Sequence, residues 1–220
     1  PSEYADFFAL LQQMSASQPL PEKLPEFLRK YPNFTRSRLE WARRALESEL
    51  YQETLGLIGN TSYDESPQAS YFALWLRASA CLRSQQWALA IDPLLELYKM
   101  RPLSKTASEL SSCYRMAESW EESKKWADQA LQLNPYDCRA MLELGMGQLQ
   151  TKNWQGARPL IEEALKICPR LVEGWLQLAR IHAQEGKRSQ ARQALEKAIR
   201  FAPDEKSARQ LQEFLGRSGL

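Results

Sequence analysis

Residues 172–203 read VEGWLQLARIHAQEGKRSQARQALEKAIRFAP, and their spacing decides the fold. Counted from Val172, Trp175, Leu178, Ala179 and His182 occupy positions 4, 7, 8 and 11, and Gly186, Ala191, Leu195, Ala198 and Pro203 occupy positions 15, 20, 24, 27 and 32. Apolar and small residues recurring three and four apart describe amphipathic helices on either side of Gly186. The window from Cys138 repeats the arrangement with Met141, Leu144, Gly145, Gln148, Ala157, Ile161, Ala164 and Pro169. Prolines 102, 135, 169 and 203 are separated by 33, 34 and 34 residues, the strongest single signal in the chain. A unit of this length cannot bury its apolar face alone, so successive units must stack.

These windows resemble the tetratricopeptide repeat, a helix, turn, helix unit of about 34 residues. The resemblance implies an all-α, right-handed superhelical solenoid of about six helical hairpins plus a C-terminal capping helix. On that frame the repeats fall near residues 1–34, 35–59, 71–102, 104–135, 138–169 and 172–203, with a loop insertion at 59–67 and the cap at 204–220. The first hairpin is degenerate. Tyr4, Phe7, Phe8, Leu10, Leu11 and Met14 make a helical stripe that needs a neighbour, and Leu24, Phe27 and Leu28 lie on a second short helix with Pro25 in its first turn.

In the second unit Thr54 stands where the family has a small alanine. The third is framed from Tyr71, after the chain's longest run of turn-forming residues, with Gln86-Trp87 replacing the family's glycine-aromatic turn. In the fourth, framed from Ser104, Ser111 takes position 8, which like positions 20 and 27 calls for a small residue so that helices approach closely. Asp204 is placed to cap the last helix, whose Ala208, Leu211, Phe214 and Leu215 cover the sixth repeat.

Composition narrows the function. With 29 basic and 27 acidic residues the net charge is +2, which gives no support to nucleic-acid binding through a basic stripe. Arg36, Arg38, Arg43 and Arg44 form a local basic patch diluted by Glu40 and Glu47. The chain has one histidine, His182, at a core-facing position, where a packed imidazole with one hydrogen-bond partner is expected. Its four cysteines, Cys81, Cys113, Cys138 and Cys168, contain no C-x-x-C pair, so no zinc site is expected. Cys81 and Cys113 read as buried small apolar residues. Cys138 and Cys168 open and close one hairpin, so their ends can lie close together and a disulfide between them stays open, but a reducing compartment with free thiols is the default expectation.

No phosphate loop, nucleophile elbow or metalloprotease motif occurs, so neither an enzyme, a cofactor nor a small-molecule substrate is expected. No segment has the length of a transmembrane span. The start at Pro1 suggests a longer parent, and any membrane association is expected through that parent's anchor or a membrane-protein partner.

The resemblance directs attention to the inner face, lined by the first helix of each repeat. On the third repeat it carries Phe72, Trp75, Leu76 and Arg83, and on the fourth Arg115. The fifth adds Arg139, Leu142, Met146 and Leu149, and the sixth Leu176 and Arg180. The family's chaperone-binding members grip a terminal carboxylate with lysine and asparagine. No asparagine occupies the corresponding positions here. An apolar strip edged by arginines suits an amphipathic helix or extended apolar peptide instead, with Trp75 as the leading anchor. A helix from this chain or a second copy filling the groove is the alternative, in which Leu142, Met146 and Leu149 are ordinary core.

The expectation is therefore a cytoplasmic, non-catalytic adaptor that docks another protein's peptide or helix. Two further classes stay open: the soluble domain of a membrane-anchored subunit of a bacterial envelope assembly, in exopolysaccharide or pilus biosynthesis or secretion, and a self-associating structural module.

Overall fold

The computed structural model describes residues 2–12, 20–31, 34–59 and 66–217, with the side chains at 2–3, 11–12 and 214–217 outside the description. The described residues are helical and contain no strand. The chain divides into two compact units, Pro1–Pro102 and Leu103–Leu220. Most of the 59–67 run lies outside the described residues, as do the side chains of Phe214 and Leu215.

The first unit contains α1 (Ser2–Gln12), α2 (Leu24–Lys30), α3 (Thr35–Glu47), α4 (Tyr51–Ile58), α5 (Pro67–Arg83) and α6 (Trp87–Met100). Helix α5 begins four residues before the expected Tyr71. Ser66 caps it by accepting from the Ala69 N–H at 3.3 Å, and Pro67 fills the first turn, where its missing N–H costs nothing. Pro67 belongs to the helix start, not to a loop insertion.

The degenerate hairpin is held by aromatic packing in place of repeat-signature residues. Phe7 is buried against the rings of Trp41 at 5.6 Å, Phe34 at 5.8 Å and Phe27 at 6.3 Å. The Asp6 carboxylate accepts from Lys30 Nζ at 2.7 Å and Tyr31 Oη at 2.6 Å, pinning α1 to the end of α2. Thr54 fits its alanine position because its Oγ1 donates to the Leu50 carbonyl at 2.8 Å, leaving a fully buried hydroxyl satisfied.

The second unit contains α7 (Ser104–Met116), α8 (Trp120–Leu133), α9 (Cys138–Gln150), α10 (Trp154–Ile167), α11 (Val172–Gln184), α12 (Arg188–Arg200) and α13 (Glu205–Arg217). Small residues set helix approach within each hairpin. Gly145, Ala157 and Ala164 join α9 and α10, and Ala179, Ala191 and Ala198 join α11 and α12, all buried. Between α7 and α8 the small pair is Ser111 and Ser123. Ser111 Oγ donates to the Ser123 carbonyl at 2.7 Å, so the close approach carries its own satisfied polar contact. Asp204 Oδ1 accepts from the Ser207 N–H at 2.7 Å and caps α13.

Every hairpin turn from α3–α4 onward uses one device. Glu49, Gln85, Glu118, Lys152 and Gly186 adopt positive φ between 58° and 72°. In each case the next residue's N–H reaches back five residues, as from Leu50 to the Ala45 carbonyl at 2.8 Å and from Lys187 to the His182 carbonyl at 2.9 Å. This is the Schellman closure, which satisfies helix-end carbonyls and normally selects glycine. Gln85, not Gln86-Trp87, therefore occupies the glycine position of the third repeat.

Cys138 and Cys168 are joined by a disulfide across a sequence separation of 30, with Cα atoms 6.1 Å apart. The default expectation of free thiols is thus corrected in favour of the disulfide left open beside it, because the start of α9 and the end of α10 come together at the open end of their hairpin. Cys81 and Cys113 are buried thiols outside any disulfide, as read from their positions, and burial pushes the Cys81 thiol above its ordinary pKa. His182 also departs from expectation. Its Nδ1 makes no hydrogen bond and lies 3.7 Å from Glu185 Oε2.

Candidate docking surfaces

The exposed apolar surface of the first unit is concentrated where α1, α3 and α5 meet. Tyr4 and Phe8, four residues apart, share one face of α1 and are 44% and 57% exposed. With Phe7, Arg36, Leu39, Glu40 and Phe72 they line a cavity of about 420 Å³. Phe72 stacks on Trp75 with centroids 5.8 Å apart and planes 8° from parallel, which continues the aromatic surface along α5; Trp75 is 40% exposed. Helix α6 exposes Leu89 near its start and Met100 at its end, neither of which lines the cavity.

Glu40 and Arg36 are the charged residues lining the cavity. Glu40 accepts from Arg43 Nη2 at 2.8 Å and Arg44 Nε at 3.1 Å, and these bonds, Arg43 first, hold its carboxyl below the ordinary value. Arg43 also pairs with Glu47, and the Arg44 guanidinium lies 5.4 Å from the Trp41 ring centre. The expected basic patch is therefore internally balanced. Arg36, at the cavity edge, has no carboxylate partner among the described residues.

Leu76 does not join this surface. It is fully buried among the α3, α4 and α5 core residues. Arg83 is exposed, but its Nη1 donates to the Leu46 carbonyl at 3.1 Å, which ties α5 to the end of α3.

In the second unit the first helices α7, α9 and α11 carry a polar network, not an apolar strip. Glu143 is 3% exposed; its Oε1 accepts from Ser112 Oγ at 2.6 Å and its Oε2 from Arg115 Nε at 2.6 Å. Arg115 Nη2 also lies 3.5 Å from Glu173 Oε1, so one guanidinium links three helices. Arg115 is thereby committed to the fold. Glu109 and Glu173 are both held above the ordinary carboxylate value by desolvation, opposed by Lys105 and Arg139 at Glu109 and by Arg115 and Arg139 at Glu173.

Leu142, Met146 and Leu149 are buried with Ala157, Ile161, Leu178 and Ile181. They are core because α9 belongs to the middle hairpin and is covered by α7, α8 and α10. Leu176 is half-buried beside Ala179 and Leu195. Arg139 and Arg180 are exposed, the latter with its guanidinium 5.8 Å from the Trp154 ring centre.

Of the residues singled out in the sequence, Phe72 and Trp75 meet on one surface, while Arg139 and Arg180 are exposed and Leu176 half-buried elsewhere on the second unit. Tyr4, Phe8 and Arg36 were missed as site residues. The available signal was an α1 stripe with more aromatic residues than one short partner helix can cover. Among the described residues, no three His, Cys, Asp or Glu side chains converge as a metal-binding group.

Residues 148–213 match the tetratricopeptide repeat family model. No curated protein matches the chain. Among solved structures, YrrB, described as a TPR protein with an unusual peptide-binding site, aligns with a TM-score of 0.53 at 15% identity, over 87% of this chain and 98% of its own. A MamA structure aligns with a TM-score of 0.59 at 15% identity, covering 76% of this chain and 91% of its own. The MamA RS-1 ArsTM double mutant gives 0.59 at 13% identity over 77% and 94%. At these identities the likeness is one of fold, that of helical-hairpin solenoids. The C-terminal hairpins, residues 148–213, thus match the tetratricopeptide repeat, and the chain as a whole shares the fold of helical-hairpin solenoids.

Proposed function

We propose that the protein is a non-catalytic scaffold that docks another protein through the aromatic cavity of its first unit. The observation that carries this reading is the pair of exposed rings Tyr4 and Phe8 lining a cavity of about 420 Å³, with the exposed Trp75 stacked on its lining residue Phe72. Solvent-facing aromatics gathered on one surface are costly unless a partner covers them. The arrangement suits a short amphipathic helix or extended peptide that inserts an apolar side chain beside Phe8 and Phe72. An acidic residue next to that anchor would meet the Arg36 guanidinium. The YrrB peptide-binding site is a precedent on this fold for peptide capture. To Arg139 and Arg180, exposed on the second unit, we assign weaker, orienting contacts.

The test places a photo-crosslinking amino acid at position 75, and at position 89 as a control, in cells that make the protein. The reading expects discrete adducts with another protein from position 75, lost on Phe72→Ala, and none from position 89. Adducts from position 89 alone would move the interface to α6. Adducts of position 75 with a second copy of this chain would favour the self-associating reading.

A further inference from the structure

The α9–α10 hairpin differs from its neighbours in being closed at both ends. At one end, Lys152 and the Asn153 N–H to Gln148 carbonyl bond of 2.9 Å form the left-handed turn shared by the other hairpins. At the other end the bond from Cys138, the first residue of α9, to Cys168, the C-cap of α10, closes the frame covalently. Hairpin α11–α12 starts from this same corner. The Leu171 N–H donates to the Cys168 carbonyl at 3.1 Å, and Trp175 Nε1 donates to the Pro169 carbonyl at 2.7 Å. The remaining cysteines are unsuited to exchange: Cys81 and Cys113 are 2% and 0% exposed, whereas Cys138 and Cys168 are only half-buried.

We propose that Cys138 and Cys168 form a redox latch on the second unit, closed in an oxidising compartment and opened by thiol reductants. In closing, the thiolate of one cysteine attacks a sulfur of an external disulfide, such as glutathione disulfide, and expels one thiolate. The second cysteine's thiolate then displaces the other thiol from the mixed disulfide. The two protein thiols are oxidised to one S–S bond, the external disulfide is reduced to two thiols, and the two cysteine protons pass to solvent or to the departing thiolates. The closed bond removes freedom from the open ends of α9 and α10. Because units of a repeat array are stabilised by their neighbours, this reaches α7–α8 and α11–α12 through the stack. An oxidising compartment replaces the cytoplasmic expectation in this reading.

The full chain, equilibrated with glutathione disulfide and then unfolded in denaturant, should present two reactive thiols, and four after reduction. A non-reducing peptide map should join Cys138 to Cys168. Reduction should lower the melting temperature by on the order of 10 °C. It should also speed amide exchange in α9, α10 and α11 while leaving α3 to α5 unchanged. The Cys138→Ser/Cys168→Ser variant should be indifferent to reductant; if it does not fold, the wild-type comparison decides alone. Four thiols persisting in glutathione disulfide would overturn the latch, and so would a pair that forms without changing melting or exchange.

Discussion

Arg115 Nε donates to Glu143 Oε2 at 2.6 Å, a nearly buried ion pair that binds α7 to α9. Taking one partner away leaves the other charge desolvated, and that cost exceeds the value of the contact itself. Glu143→Ala should destabilise the second unit by about 3 kcal/mol, the low end for such pairs because Arg115 keeps Glu173 at 3.5 Å. Chemical denaturation checks the magnitude. Glu143→Gln should cost less, because the amide oxygen can still accept from Ser112.

The left-handed turn residues Gln85, Glu118 and Lys152 invite replacement by glycine. A residue with a Cβ spends roughly 1–2 kcal/mol in that conformation, while glycine adds about 0.5–1 kcal/mol of unfolded-state entropy. The first effect wins narrowly. Each substitution should stabilise by about 0.5 kcal/mol, and Gly186→Ala should destabilise by a similar amount, both read by thermal melting.

Gly145 permits the close crossing of α9 on α10. A Cβ there would stand 2.8 Å from Ile161 Cγ1 and 3.4 Å from the Ala157 carbonyl oxygen. Gly145→Val should cost about 2 kcal/mol through overpacking. In the Ile161→Ala background the added methyl groups find room, so the two substitutions should be less damaging together than their sum. A double-mutant cycle of unfolding free energies measures that coupling.

Burial raises the Glu109 carboxyl above its ordinary 4.5, with Lys105 and Arg139 opposing the shift. The folded chain therefore holds this proton more tightly than the unfolded chain does. The stability tied to the group is fully present below 4.5 and is lost as pH climbs through the raised value. Glu109→Gln mimics the protonated form. It should melt higher than the wild type at neutral pH, with the difference shrinking on acidification toward 4.5. Loss of the Lys105 contact at 4.0 Å weighs little because that lysine is exposed.

Much of the fold was legible because repeats impose geometry on sequence. Proline spacing and the small residues Gly145, Ala157, Ala179 and Ala191 mark where helices must end or touch. Gln85 was misplaced by one residue, since the conformation that glycine favours is imposed here by the Schellman hydrogen bonds and leaves no mark on residue type. Pro67 was read as loop because a proline at a helix start looks the same in sequence as one in a turn.

The site was less legible. Position within a repeat predicts the direction of a side chain but not whether a neighbouring hairpin covers it, which is why Leu76, Leu142, Met146 and Leu149 proved to be core. Arg115 looked like a ligand-orienting residue because its partner Glu143 lies 28 positions away in sequence. The aromatic cavity depends on α1, α3 and α5 meeting, a relation that the degenerate first hairpin concealed.

The central claim is that the cavity beside Phe8 and Phe72 binds a partner segment. The most direct measurement is a calorimetric titration of the synthetic peptide spanning the segment crosslinked from position 75, into the full chain and into Phe8→Ala and Phe72→Ala. Phe8 is 57% exposed, so its truncation should leave the melting temperature unchanged. The account predicts at least a tenfold loss of affinity in both variants, about 1.4 kcal/mol or more. Unchanged affinity in two folded variants would contradict it.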